Sequence, residues 1–227
     1  MLNGTVEPRF LSLSAKSQAS SERVLNAAAR LFIERGYAAT TVRDVAERAD
    51  MKAGSLYYHY PSKQHLLRAV LERAIDELTN RTVPWLAETG EGMSCRERFR
   101  RAIAAHIDAT VSMGDYSLAF KRLSNELPAD IHRGLAAKRS ALDAHWKRLL
   151  VDAARSGELQ GDVDLGILRM LLVGAVNSAH EWFSPAKGSP GAIVDLLTRM
   201  VFDGFQPGQT ISPCPEARAM IAECAIN

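Results

Sequence analysis

The stretch TTVRDVAERADMKAGSLYYHYP, residues 40–61, constrains the fold more than any other part of the chain. Val42, Val45, Ala46 and Ala49 recur at helical spacing, and Thr41 stands where its side chain can accept from the backbone N–H of Asp44, a capping arrangement. A second short helix follows over about residues 52–60, and Pro61 stops it. Between the two, Asp50 sits where the turn needs a left-handed residue, a conformation Asp tolerates. Ala46 is small enough for the helices to cross closely, Met51 plugs the gap between them, and Leu56 points back into a core. Two short helices joined in this way and packed on a longer one describe a helix-turn-helix.

The flanking segments read as helices too. Ser20 or Ser21 can cap a first helix whose apolar positions Val24, Leu25, Ala28, Leu31 and Phe32 lead to a stop at Gly36. Ser62 caps a fourth helix with the stripe Leu66, Leu67, Val70, Leu71, Ala74, Ile75 and Leu78, ending near Thr82–Pro84. Further helical stretches follow, with breaks at Gly90–Gly92, Gly114, Pro128, Gly157–Gly161 and Ser184–Gly191. No run alternates as a strand would, so the expected fold is all-α with about nine helices. The expected organisation is a flexible arm over 1–20, a helix-turn-helix domain over 21–66, a helical body over 67–206 and a tail over 207–227.

Composition excludes several classes. The longest apolar run, Met170–Val176, is far short of the roughly 20 residues that span a bilayer, and the N-terminus lacks a secretory pattern. No membrane partner is expected, and the default location is cytoplasmic. Three cysteines (Cys95, Cys214, Cys224) form no CxxC or Cys/His cluster, so neither a metal nor a disulfide framework is indicated. Residues 1–65 carry nine Lys/Arg against six Asp/Glu, net +3, while the whole chain is +2. A basic first quarter on a near-neutral body suits a polyanion at one end. His59 has no nucleophile or paired carboxylate at useful spacing, and no phosphate loop, HExxH or G-x-S-x-G is present. No cofactor and no catalytic residue are called.

The run ARLFIERGYAATTVRDVAERADMKAGSLYYHYPSK, Ala29 to Lys63, resembles the TetR/AcrR family of bacterial transcription regulators. F-x-x-x-G-Y, T-T-V-R-D-V-A, G-S-L-Y-Y-H-Y and S-K arrive in the family's order and spacing; Asp50 and Tyr60 depart from its usual Gly and Phe. The resemblance implies binding to double-stranded DNA. Thr41 would hold a phosphate through its hydroxyl and backbone N–H, and Arg43 would reach a base edge. Lys52, Ala53, Gly54 and Ser55 would open the recognition helix, with Tyr57 meeting a thymine methyl or a phosphate. Tyr58, His59 and Lys63 would contact further phosphates. Adjacent positions 57–59 cannot all face one core, which by itself sends at least one of them outward.

The resemblance also implies an effector-binding, homodimeric C-terminal body. Pocket candidates are Phe99, Ile103, His106, Ile107, Thr110, Tyr116, Phe120, Leu123, Trp146, Leu150, Met170, Val173 and Asn177, a set suited to a small apolar molecule. Interface candidates are Leu168, Leu172, Ala175, Trp182, Ile193, Leu196, Leu197, Met200 and Val201. The stretch HEWFSPAKG, His180–Gly188, is similar to branches that regulate lipid or acyl-CoA breakdown. The function implied is a repressor released from a palindromic operator by its effector. The alternative is a helix-turn-helix adaptor or nucleoid-associated protein that needs no effector.

Overall fold

The computed structural model describes residues 15–87, 92–123, 127–159, 163–183 and 189–204, and every regular element among them is helical. In order these are α1 (Ala15–Arg35), α2 (Val42–Arg48), α3 (Ala53–His59), α4 (Lys63–Ala87) and α5 (Cys95–Ser112). They continue as α6 (Gly114–Leu123), α7 (Ala129–Arg155), α8 (Leu165–Asn177), α9 (Ala179–Trp182) and α10 (Pro190–Phe202). The chain forms two compact units, divided between Leu71 and Glu72 inside α4. The buried stripe Leu66, Leu67, Val70 and Leu71 therefore belongs to the first unit, whereas the boundary expected from sequence followed residue 66.

Two helix ends differ from the sequence reading. α1 starts at Ala15, so Ser20 and Ser21 lie inside it and cap nothing. No Gly or Pro interrupts residues 15–24, so the helix extends ahead of its first buried position, Val24. The arm expected over 1–20 is thus helical from residue 15, and residues 1–14 lie outside the described part, as does the 207–227 tail. α4 runs through Pro84 to Ala87. Proline there withholds only the bond to the carbonyl of Asn80, and both residues are exposed, where water can serve that carbonyl.

In the first unit α2 packs on both α1 and α3, and Val24, Ala28, Leu31, Phe32, Val42, Val45, Ala46 and Leu56 are all buried. Gly36, at φ +83°, terminates α1. Thr40 is fully buried and its hydroxyl donates to the Gly36 carbonyl at 2.8 Å, supplying one of the carbonyls a helix end leaves open. In the second unit Phe99, Ile103 and Ile107 of α5 pack with Trp146, Leu149 and Leu150 of α7 and with Val194, Val201 and Phe202 of α10. Phe99 meets Trp146 and Phe202 edge-on, with ring centres 6.0 and 5.4 Å away.

Candidate functional site

The turn between α2 and α3 is built by local chemistry. Thr41 and Asp44 form a reciprocal capping box: the Asp44 N–H donates to Thr41 Oγ1 at 3.1 Å, and the Thr41 N–H donates to Asp44 Oδ2 at 2.7 Å. The Thr41 hydroxyl and then its backbone N–H hold the Asp44 carboxyl below the usual carboxylate range. Asp50 adopts φ 52°, and the Met51 N–H returns to the Ala46 carbonyl at 2.9 Å, closing the turn. Leu56 is wholly buried, which turns the opposite face of α3 outward. Lys52, Gly54, Ser55, Tyr57, Tyr58 and His59 are exposed, with Tyr58 at 85%. Arg43 is also exposed and makes no ion pair among the described residues. A cationic, hydrogen-bonding convex face on a short helix after a tight turn is the shape that enters a major groove.

The second unit contains a cavity of about 520 Å³, walled by α4, α5, α6, α7 and α8. Its apolar wall includes Ile75, Leu78, Leu142, Met170 and Val173, and its polar groups include His106, Thr110, Arg139, Asp143, Arg169 and Asn177. Burial pushes the His106 imidazole down to about 4, against the smaller upward pull of its bond to Asn177, so it is neutral at pH 7. His106 Nε2 lies 2.8 Å from Asn177 Oδ1. Arg169 pairs with Asp143 at 2.9 Å, and the Arg139 guanidinium lies 5.6 Å from the Phe120 ring centre.

Residues 24–70 match the family of bacterial regulatory proteins, tetR family, and residues 92–205 match the tetracyclin repressor-like C-terminal domain. The chain belongs to the TetR family. It is a DNA-binding transcriptional regulator. It is 29% identical over 198 residues to the HTH-type transcriptional repressor KstR2 of Rhodococcus jostii, covering 85% of this chain and 93% of that one. It is 31% identical over 156 residues to the HTH-type transcriptional activator FasR of Mycolicibacterium smegmatis, covering 59% and 69%. Among solved structures, the TetR-family regulator PfmR of Thermus thermophilus superposes with a TM-score of 0.72 at 22% identity, over 83% of this chain and 98% of that one. That likeness supports the fold.

Within this TetR-family regulator, the DNA-contact candidates divide into two groups. Arg43, Lys52, Gly54, Ser55, Tyr57, Tyr58 and His59 are exposed and Ala53 is half-buried beside them. Two candidates are already engaged. Both donors of Thr41, hydroxyl and N–H, end on Asp44 Oδ2 at 2.7 Å. The Lys63 ammonium donates to the carbonyls of Tyr37 and Ala38 at 2.8 and 3.0 Å and lies 4.4 Å from the Tyr37 ring centre. Lys63 thus satisfies carbonyls just beyond the end of α1, a demand that the motif spacing does not display. Tyr60 places its hydroxyl 3.1 Å from Ser21 Oγ rather than in solvent.

The pocket candidates also divide. His106, Thr110, Phe120, Trp146, Met170, Val173 and Asn177 line the cavity. Phe99, Ile103, Ile107 and Leu150 lie instead in the packed core, and Tyr116 and Leu123 are buried away from the cavity wall. On α5 two stripes run side by side: 99, 103 and 107 face the core, while 106, 109, 110 and 113 face the cavity. Both are apolar enough that periodicity alone cannot separate them. The sequence reading missed Arg139, Ser140, Asp143 and Arg169. A signal was present on α7, where Ala136, Arg139, Ser140, Asp143 and Trp146 repeat at helical spacing, carrying a polar stripe into the face of a buried tryptophan.

Of the interface candidates, Leu172 and Val201 are buried in the chain's own core. Leu168, Ile193 and Leu197 pack partly against that core. Ala175, Leu196 and Met200 are exposed, and the side chain of Trp182 lies outside the described residues. α8 additionally exposes Ile167, Met170 and Leu171, the last at 68%. Its exposed face thus keeps the expected Ala175 but carries Ile167 and Leu171 in place of Leu168 and Leu172.

Proposed function

We propose that this chain acts as a homodimeric repressor of a palindromic operator, released by a small apolar effector of the acyl-CoA or lipid class. The observation that carries the effector half is the cavity: its volume, near 520 Å³, falls within the range of small-molecule sites, and its wall combines apolar side chains with charged and hydrogen-bonding ones. The relatives favour the same class. KstR2 is named a repressor, a Bacillus subtilis relative 23% identical is named a fatty acid metabolism regulator, and AibR, alike in fold at TM-score 0.67, was solved with isovaleryl coenzyme A and operator DNA.

For dimerisation, Ile167, Leu171, Leu196 and Met200 leave apolar side chains exposed on α8 and α10, suited to a four-helix contact with a second copy. A dimer would set two copies of α3 one DNA turn apart, about 34–36 Å. Effector binding would then favour a spacing that no longer fits, lowering DNA affinity by its differential affinity for the two states. Arg43 and the exposed face of α3 read bases, while Lys52, Tyr58 and His59 hold phosphates.

The test is a gel-shift titration of the dimer against its own promoter region. Binding that is neither salt-sensitive nor sequence-selective sinks the regulator reading. Arg43→Ala is expected to cost about 1–3 kcal/mol at the operator and to relax the base preference at its position. Failure of a panel of acyl-CoA thioesters and fatty acids to release the DNA sinks the effector half. Since FasR is named an activator, a promoter fusion in cells lacking the protein decides the sign: repression predicts increased transcription.

A further inference from the structure

Two buried polar atoms of cavity-lining side chains have no partner among the described residues, Nδ1 of His106 and Nε1 of Trp146. Both side chains line it, His106 fully enclosed and Trp146 1% exposed, with ring centres 6.0 Å apart. His106 spends Nε2 on Asn177 Oδ1. With the amide oxygen accepting, Nε2 carries the proton and Nδ1 is a bare acceptor, whereas an indole N–H can only donate. One buried acceptor and one buried donor left unpaired carry a desolvation penalty that a matching ligand group removes. A hydroxyl both donates and accepts, so it matches the pair.

Charge stands farther along the α7 wall. Arg139 precedes Trp146 by seven residues on α7, two turns away, about 10 Å along the helix. It is exposed at the cavity and makes no ion pair among the described residues. Arg169 is matched by Asp143, so two guanidiniums stand against one carboxylate and the charged part of the wall is net positive. The wall also carries the apolar side chains of Ile75, Leu78 and Val173.

We propose that the effector is a hydroxylated amphipathic anion: its hydroxyl donates to His106 Nδ1 and accepts from the Trp146 Nε1–H, its apolar body packs on the apolar side chains of the wall, and its anionic end pairs with Arg139. This inference rests on the effector reading above and narrows it. The anionic end can be a free carboxylate or the phosphates of a coenzyme A thioester, and the two sources are separated by the probes.

The full chain is titrated calorimetrically with decanoate, 10-hydroxydecanoate and the coenzyme A thioesters of both. In at least one pair the hydroxylated member is expected to bind about tenfold tighter, the size of one well-made hydrogen-bond match. The pair that shows it identifies the anionic end. Trp146→Phe should collapse that ratio, while Arg139→Ala should weaken both members and leave the ratio standing. Equal binding within each pair, no binding of any probe, or a ratio that survives Trp146→Phe overturns the proposal. The wild-type comparison decides it even if a variant folds poorly. Operator release is scored separately by gel shift. Hydroxyl-selective binding without release keeps the assigned hydroxyl and anion contacts of the cavity but removes the effector reading, and with it the claim that this ligand is the effector. Equal binding and release by plain and hydroxylated probes does the reverse.

Discussion

Asp50 shows how far one residue is bent to make the turn between α2 and α3. Its φ of 52° is the sole left-handed non-glycine backbone among the described residues, and it sits between α2 and α3, where the chain must reverse within four residues. A Cβ in that region meets the following carbonyl, a clash that Asp tolerates and β-branched residues do not. Asp50→Val is expected to lower stability by about 1–3 kcal/mol, with Asp50→Gly neutral or better, as read from urea midpoints of the pair. The need for a left-handed residue was legible in the sequence, because turn length and residue type both mark it.

His106 supplies a second prediction, in pH. Its folded pKa is depressed to about 4 from 6.5, so the unfolded chain binds the proton more readily. The stability it contributes is complete above about pH 6.5 and is lost as pH falls toward 4, a loss on the order of 3 kcal/mol. Denaturation midpoints measured from pH 7 to pH 4 should show that fall, and His106→Gln should flatten it. Its residue type and apolar neighbours marked His106 as a buried position. Its bond to Asn177, 71 positions later, lay beyond any local pattern.

At the scale of elements, helix ends are finished by residues distant in sequence. The N-terminus of α5 has its own cap, Ser94, whose hydroxyl accepts from the Glu97 N–H at 3.1 Å. The first two α5 amides, of Cys95 and Arg96, donate instead to the Glu158 carboxylate, each at 2.9 Å. Burial raises the Glu158 pKa, but the two backbone donors, together with the Cys95 and Ser156 side chains, outweigh it and the net shift is downward. Arg96 then forms a two-pronged pair with Asp203, just past α10, and Arg98 donates to the Leu86 carbonyl at the end of α4. Glu158→Gln removes the charge and one of two acceptor oxygens. It is expected to cost about 1 kcal/mol, measured by thermal or chemical denaturation. Ser94 could be foreseen, since a cap acts within three residues. Glu158 could not, because only the folded body brings it to α5.

For the whole molecule, the consequential surface is the exposed apolar side of α8 and α10. If two copies meet there, Leu171→Glu places a charge in a dry contact, which a buried interface does not tolerate without a partner. Sedimentation should then report a monomer, and operator affinity should fall at least about tenfold, because the second half-site no longer benefits from linkage. A dimer unaffected by Leu171→Glu would place the interface on another face.

By itself the sequence determined the helical class, the helix-turn-helix and most of its outward face. Those features rest on interactions spanning three or four residues: a capping box, a turn residue, and the period that buries Leu56 and exposes Tyr58. Only the tertiary structure decided which apolar stripe became core, which became cavity wall and which stayed open. Phe99 and Ile103 went to the first, Phe120 and Val173 to the second, Ile167 and Leu171 to an exposed face. The hydrophobic effect rewards removal from water and is blind to what does the covering. A leucine that packs on its own chain, lines a cavity or awaits a second copy therefore leaves the same mark in the sequence. The same is true of Lys63 and Thr41, whose side chains suit a phosphate as well as they suit the carbonyls and the carboxylate they hold.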